Sequence, residues 1–382
     1  MKSFIRLIMI GITATFALYS CQKGMKPMDQ PNTDQRVEML NAKPSDNIHG
    51  TVSVFSTGFN NPRGLKFGPD GNLYVAEAGT GGTTLTNICT QVAFPVGPYM
   101  GSVTGGRISK VNPTTGARTT LTDQLPSSSA NEIIGGDVEG VADVAFIGNQ
   151  LYAILAGAGC SHAVPTVPNS IIKVNPNGTW TQVANLSAWL QSHPSANPEP
   201  GDFEPDGTWY SMISLRGDLY ALEPNHGELV KVTTGGDVSR VVDISASQGH
   251  IVPTALSYHG NFYVGNLSIF PIPGGASNIY KVTPSGQIKI VASGLNTVLG
   301  LVFDDRDRMY VLEMTVGAPF PTPGTGRVLQ ISPSGNVTVV ATGLSLPTGM
   351  TMGPDGNLYV SNMGFSPAAI GGGQVLKIAL TQ

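Results

Sequence analysis

Six times along the chain an apolar residue, a tyrosine and a small or apolar residue stand in a row. The copies are Leu73-Tyr74-Val75, Leu151-Tyr152-Ala153, Leu219-Tyr220-Ala221, Phe262-Tyr263-Val264, Met309-Tyr310-Val311 and Leu358-Tyr359-Val360. Five follow a glycine turn such as Asp70-Gly71-Asn72, while the fifth copy has Asp305-Arg306-Asp307-Arg308. Such turns suit the positive φ angles of tight hairpins. A second element also recurs six times: Ile108-Ser109-Lys110-Val111, Ile171-Ile172-Lys173-Val174, Leu229-Val230-Lys231-Val232, Ile279-Tyr280-Lys281-Val282, Val328-Leu329-Gln330-Ile331 and Val375-Leu376-Lys377-Ile378. Its alternation of apolar and polar residues marks a strand with one wetter face. Apolar strands such as Gly64-Leu65-Lys66-Phe67 open each unit, and strands such as Val337-Thr338-Val339-Val340 close it. Four antiparallel strands per unit, repeated around a ring, predict an all-β, six-bladed β-propeller. The 48 glycines and 28 prolines agree with many short strands and sharp turns.

The sixth unit ends at Gln382 without a fourth strand. The segment Val52-Ser53-Val54-Phe55-Ser56-Thr57-Gly58 matches two fourth strands, Ile288 to Gly294 and Val337 to Gly343. The N-terminal strand is therefore expected to pair onto the last blade and tie the ring, covering what would be an unpaired third strand.

The first residues predict export. Lys2 and Arg6 precede an uncharged apolar run from Leu7 to Leu18, too short for a comfortable membrane span and typical of a signal-peptide core. It ends in Leu18-Tyr19-Ser20-Cys21, which resembles a bacterial lipobox. The expected organisation is a signal peptide at 1–20, a lipidated flexible tether at 21–48 and the propeller at 49–382. Acylation at Cys21 would make the membrane a partner and place the chain in the bacterial cell envelope. With a net charge of -4 and no basic run past the N-terminus, no nucleic-acid partner is expected.

Within each blade the first-to-second and third-to-fourth strand turns are short. The remaining connections are long, at about 79–106, 156–169, 187–208, 244–252, 266–277, 315–326 and 363–373. Long loops on one face of a rigid scaffold are where binding usually sits. The second strands end there at Glu77, Leu155, Glu223, Asn266, Glu313 and Asn362. Glu77, Glu223, Asn266, Glu313 and Asn362 offer oxygen ligands suited to a hard cation such as Ca²⁺, or they are solvated caps of strand ends. Arg63 and Glu139 add ligand-binding candidates at first-strand starts. His162, His226 and His250 add more from the loops, as general bases or as hydrogen-bonding residues. His193 lies on the same loops. No Gly-x-Ser-x-Gly, His-Glu-x-x-His or phosphate loop is present. Cys89 and Cys160, on loops of adjacent blades in an exported protein, are expected to form a disulfide; a Cys/His metal site with His162 would lack the usual close ligand spacing.

Several segments resemble the ScyD/ScyE family, named from scytonemin-biosynthesis clusters. They include Asn61-Pro62-Arg63-Gly64-Leu65, Gly157-Ala158-Gly159-Cys160-Ser161-His162, Asp202-Phe203-Glu204-Pro205-Asp206-Gly207, Glu223-Pro224-Asn225-His226-Gly227-Glu228 and Gln248-Gly249-His250. The resemblance covers nearly all of 51–382 and implies an exported propeller, without an agreed reaction or catalytic residues. It need not imply synthesis of that pigment. More distantly the blades resemble NHL repeats and six-bladed propellers of the gluconolactonase type, which hold a divalent cation at the channel mouth. Two functions follow as expectations. One is a lipid-anchored binding or assembly module that holds a small molecule or envelope partner. The other is a divalent-cation-dependent hydrolase or lactonase at the channel mouth, with metal-bound water as nucleophile.

Overall fold

In the computed structural model the described residues are 48–131, 137–317, 320–365 and 371–381. They form six four-stranded antiparallel blades in a ring, one of them extended by a fifth strand. Blade 1 comprises Pro62–Phe67, Leu73–Glu77, Met100–Val111 and Arg118–Ser129. Blade 2 comprises Val141–Ile147, Gln150–Leu155, Ser170–Val174 and Trp180–Asn185. Blades 3, 4 and 5 begin at Ser211–Leu215, Pro253–Tyr258 and Val298–Phe303. Blade 6 consists of Gly349–Met352, Leu358–Asn362 and Gly373–Thr381, completed by His49–Phe59. The apolar–Tyr motif falls on the second strand of every blade, as the repeat predicts.

The closing strand pairs antiparallel with Gly373–Thr381, from His49 opposite Thr381 to Phe59 opposite Gly373, with bulges after Val54 and Thr57. It runs longer at both ends than its sequence match, and Ile48, just before it, and Phe59, its last residue, are buried. Ile48 packs with Tyr310, Val340, Leu358 and Ile378 between blades 5 and 6. Phe59 packs with Leu65, Leu73, Val75, Tyr359 and Val375 between blades 6 and 1. Every other pair of neighbouring blades has its own apolar cluster as well. The core is thus a ring of six interfaces, each fed by the alternating inward residues of two sheets, as period-2 patterning requires. Signal, lipidation and tether expectations at 1–47, including Cys21, lie outside the described residues.

Three departures matter for the site. The third and fourth strands of blade 1 continue past the ring as a ribbon, with Met100 opposite Ser129 and Ser102 opposite Ser127. A two-residue strand, Val138–Glu139, adds to that ribbon, so Glu139 belongs to blade 1 and not to the start of the next first strand. Two short helices, Leu186–Ser192 and Ser245–Gln248, stand where plain loops are expected. The first is capped by the Asn185 side chain, which accepts from Ala188 N at 2.9 Å.

Candidate functional site: an acid–histidine centre over blades 1 to 3

Each of the five second-strand ends is engaged within its own blade, and among the described residues the carboxylates Glu77, Glu223 and Glu313 do not form a group within one ligand shell. Glu77 accepts from Asn60 N at 2.6 Å and from Arg107 Nε at 2.9 Å. Glu313 accepts from Asn296 N at 2.7 Å and is ion-paired with Arg327. Asn362 accepts from Ser345 N at 2.8 Å and donates to Gln374 at 3.2 Å. Asn266 accepts from Asn278 N at 2.7 Å and donates to Ile251 O at 2.9 Å. Glu223 accepts from Thr208 N at 2.8 Å and also from His226 N. In all five the side chain bridges backbone of its own blade's loops at the rim, which satisfies N–H groups that the strand ladder leaves open. The Arg, Arg and Gln partners lie directly across the ladder, as Glu77 with Arg107, Glu313 with Arg327 and Asn362 with Gln374. For Glu77 and Glu313 this answers the charge-repulsion problem that a bare ring of carboxylates would pose, because the positive partner comes from the neighbouring strand; Glu223 instead faces Glu228 across its ladder and is held by backbone N–H groups.

Among the described residues, one group of three metal-capable side chains has its ligand atoms within 4.8 Å of one another: Glu139, His162 and Glu204. His162 Nε2 lies 2.9 Å from Glu204 Oε2 and 3.1 Å from Glu139 Oε2. Tyr99 Oη lies 3.3 Å from Glu139 Oε1 and 3.2 Å from Glu204 Oε1. Each carboxylate therefore turns one oxygen to the imidazole and the other to the phenol. The rings of Tyr99 and His162 meet edge to face at 4.6 Å.

The four side chains come from four segments. Tyr99 precedes the blade 1 ribbon, Glu139 sits on its extra strand, His162 ends the short 3-10 helix Cys160–His162, and Glu204 lies on the connection into blade 3. Their supports are fixed. Gly101 lets the ribbon pass against the His162 backbone, because a Cβ there would sit 2.6 Å from His162 O and 2.4 Å from Ala163 O. Asp206 Oδ2 accepts from Ser161 N at 2.8 Å and Ser161 Oγ at 2.6 Å. Cys160 is disulfide-bonded to Cys89, 71 residues away, as the sequence predicts. The Glu204 backbone is held at both ends, its N–H by Asn225 Oδ1 at 3.0 Å and its carbonyl by His226 Nε2 at 2.9 Å.

The centre is nearly dry: the side chains of His162 and Glu204 are 0% and 3% exposed and that of Glu139 14%. Burial, and then the Glu139 charge, pushes the Glu204 carboxyl well above the usual carboxylate range. Burial works to lower the His162 pKa, but hydrogen bonds to Glu139 and Glu204 outweigh it and raise it. Burial likewise raises Tyr99, helped by the two carboxylates.

The other candidates surround this centre without joining it. Arg63 donates to Asp137 at 2.9 Å and Val138 O at 2.6 Å, and to Gly364 O, so it clasps blade 1, its extra strand and the blade 6 loop. His226 supports Glu204 through the backbone and lies beside Phe203 at 5.0 Å. His250 contacts Glu199, and His193 stacks on Trp189 at 3.6 Å. Sequence reasoning missed Tyr99 and Glu204 as site residues. Both lie in segments that occur once, where a periodic search has no second copy to compare.

No family model and no curated protein matches the chain. Solved structures do. An oxidoreductase described as a glucose dehydrogenase from Thermus thermophilus is 15% identical, with 86% of this chain and 100% of that chain covered and a TM-score of 0.54. A gluconolactonase from Xanthomonas campestris is 11% identical, with 90% and 92% covered and a TM-score of 0.51. A Bacteroides thetaiotaomicron protein of unknown function is 12% identical, with 88% and 77% covered and a TM-score of 0.56. The structural neighbours are six-bladed β-propellers, and at these identities the likeness is one of fold.

Proposed function

We propose that this chain is an exported, lipid-anchored propeller of the ScyD/ScyE type that works as a binding module, with the long-loop face as its ligand surface. The observation that carries the reading is where large apolar side chains reach solvent. Leu85, Ile88, Phe94, Val103, Phe203, Ile269 and Phe270 all rise from the long loops or the blade 1 ribbon, with Ile88 72% and Phe270 63% exposed. The others are Val52, Val54, Ile290, Val291 and Val339, on outermost strands. Phe270, Phe320 and Phe365 form a chain of ring contacts at 5.0 and 6.1 Å across the loops of blades 4 to 6. Apolar side chains thus reach solvent over blade 1 and the entry to blade 3 as well as over blade 4, between buried polar clusters, a surface suited to an amphipathic small molecule or an envelope partner. A hydrolase or lactonase at the same face would need its charged centre open to substrate, whereas Glu204 and His162 are roofed by the ribbon and loops.

A photo-cross-linking residue placed at Phe270 or Phe94 in the exporting bacterium should give the same discrete adduct, and one at Ser334 in a short turn should not. Equal labelling from both faces, or none from either, would sink the binding reading. Turnover of a lactone or ester panel by purified protein, lost on chelation, would replace it with the hydrolytic one. Radiolabelled fatty acid should be incorporated by the parent and lost with Cys21→Ser.

A further inference from the structure

We propose that Glu139, His162 and Glu204 form a binding site for a first-row divalent cation of the Zn²⁺ class, which ties together the long-loop segments of blades 1 to 3. The first argument is an inventory of donors and acceptors. One Nε2–H faces two carboxylate oxygens, at 2.9 and 3.1 Å. It can donate fully to one of them, and Glu139 Oε2, buried, has only the longer 3.1 Å contact and no hydrogen bond of full geometry. A buried acceptor left in that state costs free energy. A dication placed among the three atoms satisfies both oxygens and the nitrogen together and offsets the charge of both carboxylates.

Geometry and ligand chemistry agree. Tetrahedral Zn²⁺ with N and O ligands at about 2.0–2.2 Å sets its ligand atoms about 3.3 Å apart. The two distances from His162 Nε2 fall just inside that figure, and all three ligand atoms lie within 4.8 Å. One imidazole with two carboxylates is a borderline set, whereas Ca²⁺ takes six to eight oxygens, far more than converge on this point. Metal binding requires the His162 proton to leave Nε2. Moving it gives up the 2.9 Å bond to Glu204, which the metal–ligand bonds would replace, and leaves the remaining ring proton on the buried Nδ1. Tyr99 has one O–H, which would bond the far oxygen of Glu204 or of Glu139 and orient that carboxylate toward the ion, as outer-shell partners do.

The consequence is mechanical. The three ligands come from the blade 1 extra strand, the disulfide-bound helix of blade 2 and the connection into blade 3. A bound ion would cross-link them beside the Cys89–Cys160 bond and hold this part of the long-loop face in one arrangement.

The test uses the full mature chain, stripped with chelator and titrated with Zn²⁺ and separately with Ca²⁺, read by calorimetry, metal analysis and melting temperature. The parent should take up one Zn²⁺ per chain in preference to Ca²⁺ and melt higher when loaded. Glu204→Gln and Glu139→Gln should weaken Zn²⁺ binding roughly 100-fold or more, and Tyr99→Phe roughly 10-fold. Co²⁺ in place of Zn²⁺ should give the intense visible bands of a low-coordinate site. Circular dichroism checks that each variant is folded. If Glu204→Gln does not fold, the partly exposed Glu139→Gln and Tyr99→Phe decide the matter. A stripped parent that takes up no Zn²⁺, a preference for Ca²⁺, or Zn²⁺ uptake unchanged in the variants would each overturn the assignment.

Discussion

Ring closure by the N-terminal strand makes a quantitative demand on two residues. Phe59 is fully buried in the blade 6–blade 1 cluster and Ile48 is 1% exposed in the blade 5–blade 6 cluster. Truncating a buried Phe to Ala costs about 3–5 kcal/mol and an Ile about 2–5. The two lie at opposite ends of a strand, roughly 35 Å apart at the usual rise per residue, so their effects should add. Their sum, about 5–10 kcal/mol, rivals the whole stability of an ordinary domain. At about 2.1 cal/mol/K per residue, a propeller of this size has an unfolding entropy near ~0.7 kcal/mol/K, so each kcal/mol moves Tm by roughly 1.4 °C. Phe59→Ala should therefore lower Tm by about 4–7 °C. Val54→Ala, on the same strand but 56% exposed, should move it by about 1 °C or less. The double Ile48→Ala, Phe59→Ala chain, or one lacking residues 48–59, should aggregate on warming, because the Gly373–Thr381 edge is then unpaired. Calorimetric melts of the four proteins check this. A Phe59→Ala protein that melts with the Val54→Ala control would mean that the strand is a surface decoration and not the closure.

Two further outcomes follow from buried carboxylates. Asp143 faces the central channel and accepts from Met212 N at 2.9 Å and Val144 N at 2.8 Å, and burial raises its pKa to about 6. A folded pKa above the unfolded value means that the folded state holds the proton more tightly, so this group's contribution is full below about pH 4 and is lost as pH rises through about 6. Asp143→Asn removes that loss: relative to the parent it should gain up to about 3 kcal/mol between pH 4 and pH 7 in denaturant titrations, and a parent–variant difference that stays flat with pH would contradict it. Glu313→Gln, measured without any added cation, should lower stability by about 1–3 kcal/mol, because it unpairs Arg327 and weakens the acceptor for Asn296 N. A variant that melts higher than the parent would instead mean that the rim carboxylates repel one another, as a bare cation ring would.

The fold was legible because a propeller writes the same physical requirement six times. An apolar–Tyr second strand after a glycine turn, and a third strand ending in an apolar residue, are each needed once per blade, so chance resemblance is averaged away. The closure was legible for the same reason: a fourth strand missing at one end of the chain and present at the other fits a ring and little else. By pattern the rim residues read as a shared set of ligands, whereas each has hydrogen-bond partners within its own blade. Glu77, Glu313 and Asn362 recur at one position because in those blades the side chain satisfies backbone at the second-strand end, and the partners were readable one strand later, at Arg107, Arg327 and Gln374; blade 2, which ends there in Leu155, does without it.

That contrast separates scaffold from site in this chain. A residue that returns in every blade answers a need that every blade has, which is structural. A site needs a point where the ring's symmetry is broken, and here the break is the blade 1 ribbon with its extra strand, the Cys89–Cys160 bond and the long entry into blade 3. Tyr99, Glu139, His162 and Glu204 all belong to those unrepeated pieces, and each is buried or nearly so although polar. Burying two carboxylates and an imidazole together is costly unless they are paired or ligated, and nothing about closing six blades calls for it. The way the ring is built therefore does not account for the polar centre, and the proposed cation would.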